Sequence, residues 1–379
     1  MRIFFASDST PNSAFHSNVW RNNLYSPLVD LGHEVIEFDY DLRSTFQNVD
    51  PAISRQRTFI DKNRPKVTQS LLRQIRTAHS QKPLDLFFSY FYDACVLPGA
   101  IDEIRSMGIR TLNWYCNGSY QLHLVREISP HYDWCLVPEK FRIDDYIAMG
   151  ARPIYCQEAA NPNIYKPFDL PREFDVTFVG QAYGDRPIHV RKLLDSGIDI
   201  RVWGYGWEKY STGPGRMLRG VLYGAEEMLR RWARNDTTQR LLGWEPRVEI
   251  PRDVLGGVLS DTEMINMYSR SKINLGFSSC GETHRTGEKV LQVRLRDFEV
   301  PMCGGFYLVE YMEELEDFFD IGKEIVCYKG PEDLVEKIKY YLRHDQDRDV
   351  IREAGRRRCL RDHTWHKRFD LVFKKIGLA

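Results

Sequence analysis

Short apolar runs recur along the first half of the chain, each followed by a stretch whose apolar residues return every three or four positions. Runs of four to eight apolar residues bounded by turn residues read as buried strands, and the three-to-four spacing reads as helices packed on them. RIFFAS (residues 2–7), HEVIEFD (33–39), LDLFFSY (84–90), RTLNWY (110–115) and DWCLVP (133–138) are the strand candidates. An amphipathic segment around Trp20, Leu24 and Leu28 separates the first two. Such alternation predicts a parallel sheet covered by helices on both faces. Residues 159–174 (AANPNIYKPFDLPREF) carry three prolines and read as an interdomain linker. The pattern then restarts with strands at 174–180 (FDVTFVG), 198–204 (IDIRVWG), 271–279, 305–309 and 324–330. Helices are predicted at 186–195, 331–342 and 347–357, with a last one from about 364. Two α/β domains follow from this reading.

Two segments depart from the simple alternation. In RDFEVPMCGGFYLVE (296–310), Leu291, Leu295, Phe298 and Met302 share one helical face and place Gln292, Arg296 and Glu299 on another. Gly304 should stop that helix, Pro301 should kink its last turn, and 306–309 should form a buried strand. Within the second domain, residues 215–242 carry an apolar stripe with arginines placed around it. That block is either a packing helix with a solvated rim or an arm contacting the acceptor or a membrane surface.

The 379 residues suit two domains, and 42% hydrophobic content suits a well-packed globular protein. Fifty-three basic residues balance fifty-three acidic ones, so no long-range pull toward nucleic acid or an anionic membrane exists, although local basic patches remain open. The chain opens MRIFFASD, already a strand, with no signal-peptide pattern and no apolar run of spanning length, which predicts a cytoplasmic protein. Eight scattered cysteines without a C-x-x-C pair predict buried, reduced thiols.

Several chemistries drop out. The turn after the first strand, ASDSTPNSAF, has no glycine, and no G-x-x-x-x-G-K-[ST] occurs, so dinucleotide and P-loop readings fail. G-x-S-x-G is missing too. The D-x-D of Asp39 and Asp41 ends a strand without a third acidic ligand, and His363 and His366 in HTWH have charged flanks that predict a surface turn. No metal site is expected.

What remains lies at strand ends. FVGQAYGDR (178–186) gives a strand ending at Gly180, a loop, and a helix opening near Arg186, which is either a phosphate site or a turn with a solvated arginine. GYGW (204–207) adds a weaker glycine signal at Gly204. NWYCNGSYQLH (113–123) follows a strand of the first domain and offers Asn117, Ser119 and His123, while Glu158 lies at the linker.

LRDFEVPMCGGFYLVEY, GKEIVCYKGPEDLVEKIKYYLRH and HTWHKRF, with NNLYSPLVDLGHEV, EAANPNIYKP, DVTFVGQAYGDR and VWGYGW upstream, resemble CgeB-type, spore-maturation-like glycosyltransferases. The resemblance covers nearly the whole chain except the arginine-rich block. It implies a GT-B fold, two Rossmann-like domains facing across a cleft. Residues 1–165 would be the acceptor side and 166–360 the nucleotide-sugar side, with a helical insert at about 212–245. Residues 361–379 would form a helix packing back toward the first domain. The implied activity is transfer of a sugar, by a retaining course, from a UDP- or GDP-linked donor to an unidentified acceptor, with no cofactor and no metal. By the same resemblance Glu299 meets the nucleotide ribose, and Arg296 and Arg186 meet the diphosphate. Gly180, Gly204, Arg294 and Glu158 complete the expected binding set, and His123, Asn117 and Arg296 the catalytic set. One position departs from the pattern: Leu291 stands where a sugar-contacting glutamate is usual, with Glu288 or Arg294 as possible substitutes. The alternatives are a catalytically inactive sugar-nucleotide-binding protein and a nucleic-acid-modifying sugar transferase, the latter disfavoured by the zero net charge.

Overall fold

The computed structural model describes residues 1–8, 17–211, 248–280 and 289–378. The arginine-rich block at 215–242 and Glu288 lie outside the described residues. Contacts divide the chain into one unit of Met1–Asn161 with Thr364–Ala379 and a second of Pro162–His363.

The first unit is built on a parallel sheet of β1 (Arg2–Ala6), β2 (Glu34–Glu37), β3 (Leu86–Ser89), β4 (Arg110–Trp114), β5 (Trp134–Val137) and β6 (Pro153–Tyr155), in the order β2-β1-β3-β4-β5-β6. Strands β1, β3 and β5 read as nearly unbroken apolar runs because both faces of the sheet are covered. The 28-residue helix Ser54–Gln81 turns Ile60, Val67, Leu71 and Ile75 inward. The C-terminal helix Trp365–Lys375 belongs to this unit. The Thr364 side chain accepts from Lys367 N and caps it, while Trp365 packs edge-on against Trp114 at 5.1 Å.

The second unit has a parallel sheet of β7 (Phe174–Val179), β8 (Ile200–Trp203), β9 (Ser271–Gly276), β10 (Tyr307–Glu310) and β11 (Val326–Tyr328), ordered β11-β10-β9-β7-β8. Helix Arg186–Asp195 follows β7, and Pro331–Arg343 follows β11. All eight cysteines are buried and free.

Two local expectations are corrected. The helix before β10 runs only over Leu295–Met302, so Leu291 and Gln292 are not on it. Asp297 Oδ2 accepts from Arg294 N at 2.7 Å and starts the helix there, while Leu291 instead bridges antiparallel to Ser279. HTWH is no surface turn: His363 is 4% exposed, its Nε2 lies 2.8 Å from the Phe318 carbonyl, and the Phe298, Phe318 and Phe319 rings surround it. Its neighbours Thr364 and Trp365 start a buried helix, which the flanking charges did not reveal. At the start of the proline-bearing segment Ala159, Ala160 and Asn161 are fully buried, and Ala160 pairs with Thr364.

Candidate active site

The switch point of the second sheet lies at the carboxyl ends of β7 and β9, because β7 pairs with β8 on one side and β9 on the other. Open α/β sheets bind ligands at such points. Here β7 ends at Gly180, whose carbonyl accepts from Trp207 Nε1 at 2.8 Å. Gly204 has φ +134°, and a Cβ on it would lie 2.3 Å from that same carbonyl oxygen. Backbone crossing backbone therefore explains Gly204, while a Cβ on Gly180 would lie 2.5 Å from the Phe178 ring. Their sequence signal is real, but its cause is close packing behind the loop.

Arg186 opens the helix after this loop and is 3% exposed. Its Nη1 donates to the Gln181 carbonyl at 3.0 Å, its Nη2 to Tyr183 Oη at 2.7 Å, and the guanidinium lies 3.7 Å from the Tyr183 ring centroid. Its Nε has no hydrogen-bond partner. Burial lowers its pKa to about 10; Tyr183 opposes the shift, and the charges of Arg294 and Arg296 add to it. Three arginines from two segments thus converge on one place. Arg294 is fixed by Nη2 donating to the Ser279 carbonyl. Arg296 is opposed by burial, yet Tyr268, Glu299 and Tyr307 outweigh that cost and hold its pKa above the usual arginine value. A cation cluster with Arg186 buried and Arg294 and Arg296 partly buried suits a polyanion, whose charge replaces the water the arginines have lost.

Beside the cluster, Lys289 Nζ bridges Asp185 Oδ2 at 3.1 Å and Glu310 Oε1. Glu310 Oε2 also accepts from the backbone N–H groups of Ser278 and Ser279, at 3.2 Å each. These side chains, with His189, Leu291 and Tyr328, line a cavity of about 510 Å³. Leu291 brings an apolar wall where a carboxylate was considered.

Glu299 is 3% exposed, and the charges it feels or exerts involve Arg296, Tyr268 and Cys303. Glu299 therefore lies on an interior face, because the helix packs on Tyr268 and on the helix Asp345–Asp362.

In the first unit, Asn117 precedes the short helix Gly118–Gln121, with its Nδ2 3.5 Å from Tyr90 Oη. Ser119 is buried, and its N–H donates to Glu139 Oε1 at 3.1 Å. His123 is half exposed, with Nε2 3.9 Å from Asp50 Oδ2. Glu158 is buried, and its N–H donates to Gln157 Oε1 at 2.8 Å. Sequence reasoning missed Glu139, which is 3% exposed, lacks a partner at Oε2, and is pushed up to about 7 by burial despite the Ser119 and Gly118 N–H groups. It also missed Lys289 and Glu310. Only their places at strand ends could have flagged Glu139 and Glu310. The rejected D-x-D reading ends in a plain pairing, since the Arg43 side chain holds Asp41 down at about 2.

Residues 186–374 match the family described as Glycosyl transferase-like. No curated protein sequence matches the chain. Among solved structures, a sucrose-phosphate synthase from Thermosynechococcus elongatus superposes with a TM-score of 0.61 at 12% identity, covering 100% of this chain and 99% of that one. Alr3699/HepE from Anabaena, solved with UDP-glucose, gives 0.59 at 12% identity and 100% of both chains. AviGT4, a glycosyltransferase of avilamycin A biosynthesis, gives 0.54 at 13% identity, covering 99% of this chain and 96% of that one. At such identities the likeness is one of fold, and that fold is GT-B. Residues 186–374 accordingly carry a glycosyltransferase-like match within a chain of GT-B fold.

Proposed function

We propose that the chain transfers a sugar from a nucleoside diphosphate sugar, UDP- or GDP-linked, and that it is of the CgeB type. The convergence of Arg186, Arg294 and Arg296 at the switch point carries this reading. In the proposed step the bond between the sugar's anomeric carbon and the diphosphate oxygen breaks, and the diphosphate keeps the electron pair. An acceptor oxygen forms the new bond and gives up its proton. Charge grows on the diphosphate as the sugar leaves, so cations already fixed beside it favour the transition state over the ground state. Arg296 supplies this role, with Arg186 and Arg294 holding the diphosphate, Gly180 and Gly204 shaping the loop, and Glu299 accepting from the ribose hydroxyls. UDP-glucose in the HepE structure supports a uridine donor for a chain of the same fold.

The first unit takes the acceptor in this reading, with Asn117, His123 and Glu158 at the strand ends as acceptor-side groups and His123 as proton acceptor. A retaining course rests on the family resemblance. A donor-binding protein without turnover is the second reading, and Leu291 on the cavity wall is the observation that favours it. Incubation with UDP- and GDP-sugars, followed by release of free nucleoside diphosphate, separates them: release supports the enzyme, while binding without release supports the second reading. No helix among the described residues is long and apolar enough to cross a membrane. A cytoplasmic site of action belongs to the same proposal.

A further inference from the structure

The helix Ser54–Gln81 carries seven Lys or Arg residues against one acid, Asp61, in a chain whose charges balance overall. Arg55, Lys62, Lys66 and Arg73 are all exposed. Their spacings of seven, four and seven residues bring them within about 40° of one another around the helix axis. The stripe is about 27 Å long at 1.5 Å per residue. Ile60, Val67, Leu71, Ile75 and Ala78 are buried on the opposite side, so the stripe is the outermost line of the helix. The helix's other cations have protein partners: Arg64 pairs with Glu127, Arg76 with Glu103, and Arg57 Nε donates to the Pro51 carbonyl. None of the four stripe residues makes an ion pair with a described residue. Phe59 lies beside the stripe and is half-buried, and Asp61 points about 120° away from it.

We propose that this face docks the protein on an anionic lipid surface. Four cations on the crest of one helix touch a plane together, whereas single-stranded nucleic acid is bound in a concave basic groove with stacking platforms. Phe59 adds an apolar edge that can enter the headgroup layer. Balanced net charge keeps the attraction local, so it acts within a Debye length of the surface. This inference is independent of the donor site. It adds a place of action, at a membrane surface.

The test is sedimentation of the full chain with vesicles of phosphatidylcholine alone or with about one-third phosphatidylglycerol. Each Lys or Arg held near an anionic surface is worth roughly fivefold in partitioning. The fourfold variant R55E/K62E/K66E/R73E should therefore lose several hundredfold of binding to the anionic vesicles. Its melting temperature should match the wild type, since no ion pair or buried contact is removed. Wild-type binding should fall in about 0.5 M salt and be negligible on phosphatidylcholine alone. The proposal is overturned if the wild type ignores the anionic vesicles, if the variant binds them equally, or if a labelled single-stranded oligonucleotide binds through the stripe and the vesicles do not.

Discussion

Arg186 and Arg296 repel each other at the switch point of the second sheet: the charge of Arg296 lowers the pKa of the buried Arg186 guanidinium. Folding gains little from holding like charges together in the interior, so the arrangement points to an anion that both can share. Arg186→Met keeps the bulk over the Tyr183 and Phe178 rings and removes the repulsion. Stability should fall by no more than about 1 kcal/mol, because two lost hydrogen bonds are set against a desolvated charge. Affinity for UDP or GDP should fall tenfold or more in the same titration.

Glu299 faces the same cluster from the interior. Glu299→Gln keeps its shape and removes the charge opposite Arg296. Hydrogen bonds to a charged group are worth about 1.5–3 kcal/mol, so nucleotide affinity should fall roughly tenfold to a hundredfold. A lower melting temperature should accompany it, since a buried cation loses a partner. Arg296→Ala should act chiefly on kcat, because the charge it meets grows as the sugar departs. Unchanged affinity in Glu299→Gln, measured calorimetrically, would remove the ribose role.

Gly204 is a purely steric prediction. Gly204→Ala places a methyl 2.3 Å from the Gly180 carbonyl at φ +134°. Backbone strain alone costs about 1–3 kcal/mol, and the clash adds to it. Thermal denaturation should show a loss of at least about 2 kcal/mol, with weaker nucleotide binding as the loop before Arg186 shifts.

Glu139 makes stability depend on pH. Its carboxyl has an ordinary value of 4.5 and is raised to about 7 in the fold. The native state therefore holds the proton more tightly than the unfolded chain. Its contribution is fully present below about pH 4.5 and is lost as pH rises through about 7. Up to about 3 kcal/mol is involved, at 1.36 kcal/mol per pKa unit. Asp93 and Asp297 are also raised, each to about 6, so the wild type alone does not isolate the effect. Glu139→Gln should make stability fall less steeply than in the wild type between about pH 4.5 and pH 7, so that the difference between the two changes across that window, read from urea midpoints at each pH.

The two sheets were legible because parallel strands covered on both faces leave dense apolar runs, as in RIFFAS and LDLFFSY. Strand β6 was not, since three residues at a sheet edge carry too little pattern. The helix Leu295–Met302 was read one turn too long. An apolar Leu291 fits a helical period as well as the extended bridge it makes to Ser279. Arg186 was legible as a helix opener after a glycine-bearing loop, but its burial was not, because burial depends on Phe178 and Phe277 arriving from other strands. Asp185 and Glu310 come together from separate segments through Lys289, a contact that sequence spacing does not encode.

The most direct measurement is a thermal-shift panel of UDP-, GDP-, TDP- and CDP-sugars on the full chain, run beside Arg186→Met and Glu299→Gln. A ligand that binds only the native state, at 100 times its dissociation constant, stabilises by about 2.7 kcal/mol. The account predicts a clear rise in melting temperature with at least one uridine or guanosine diphosphate sugar, and a clearly smaller rise in both variants. No rise with any of the donors, or an equal rise in wild type and variants, would contradict it.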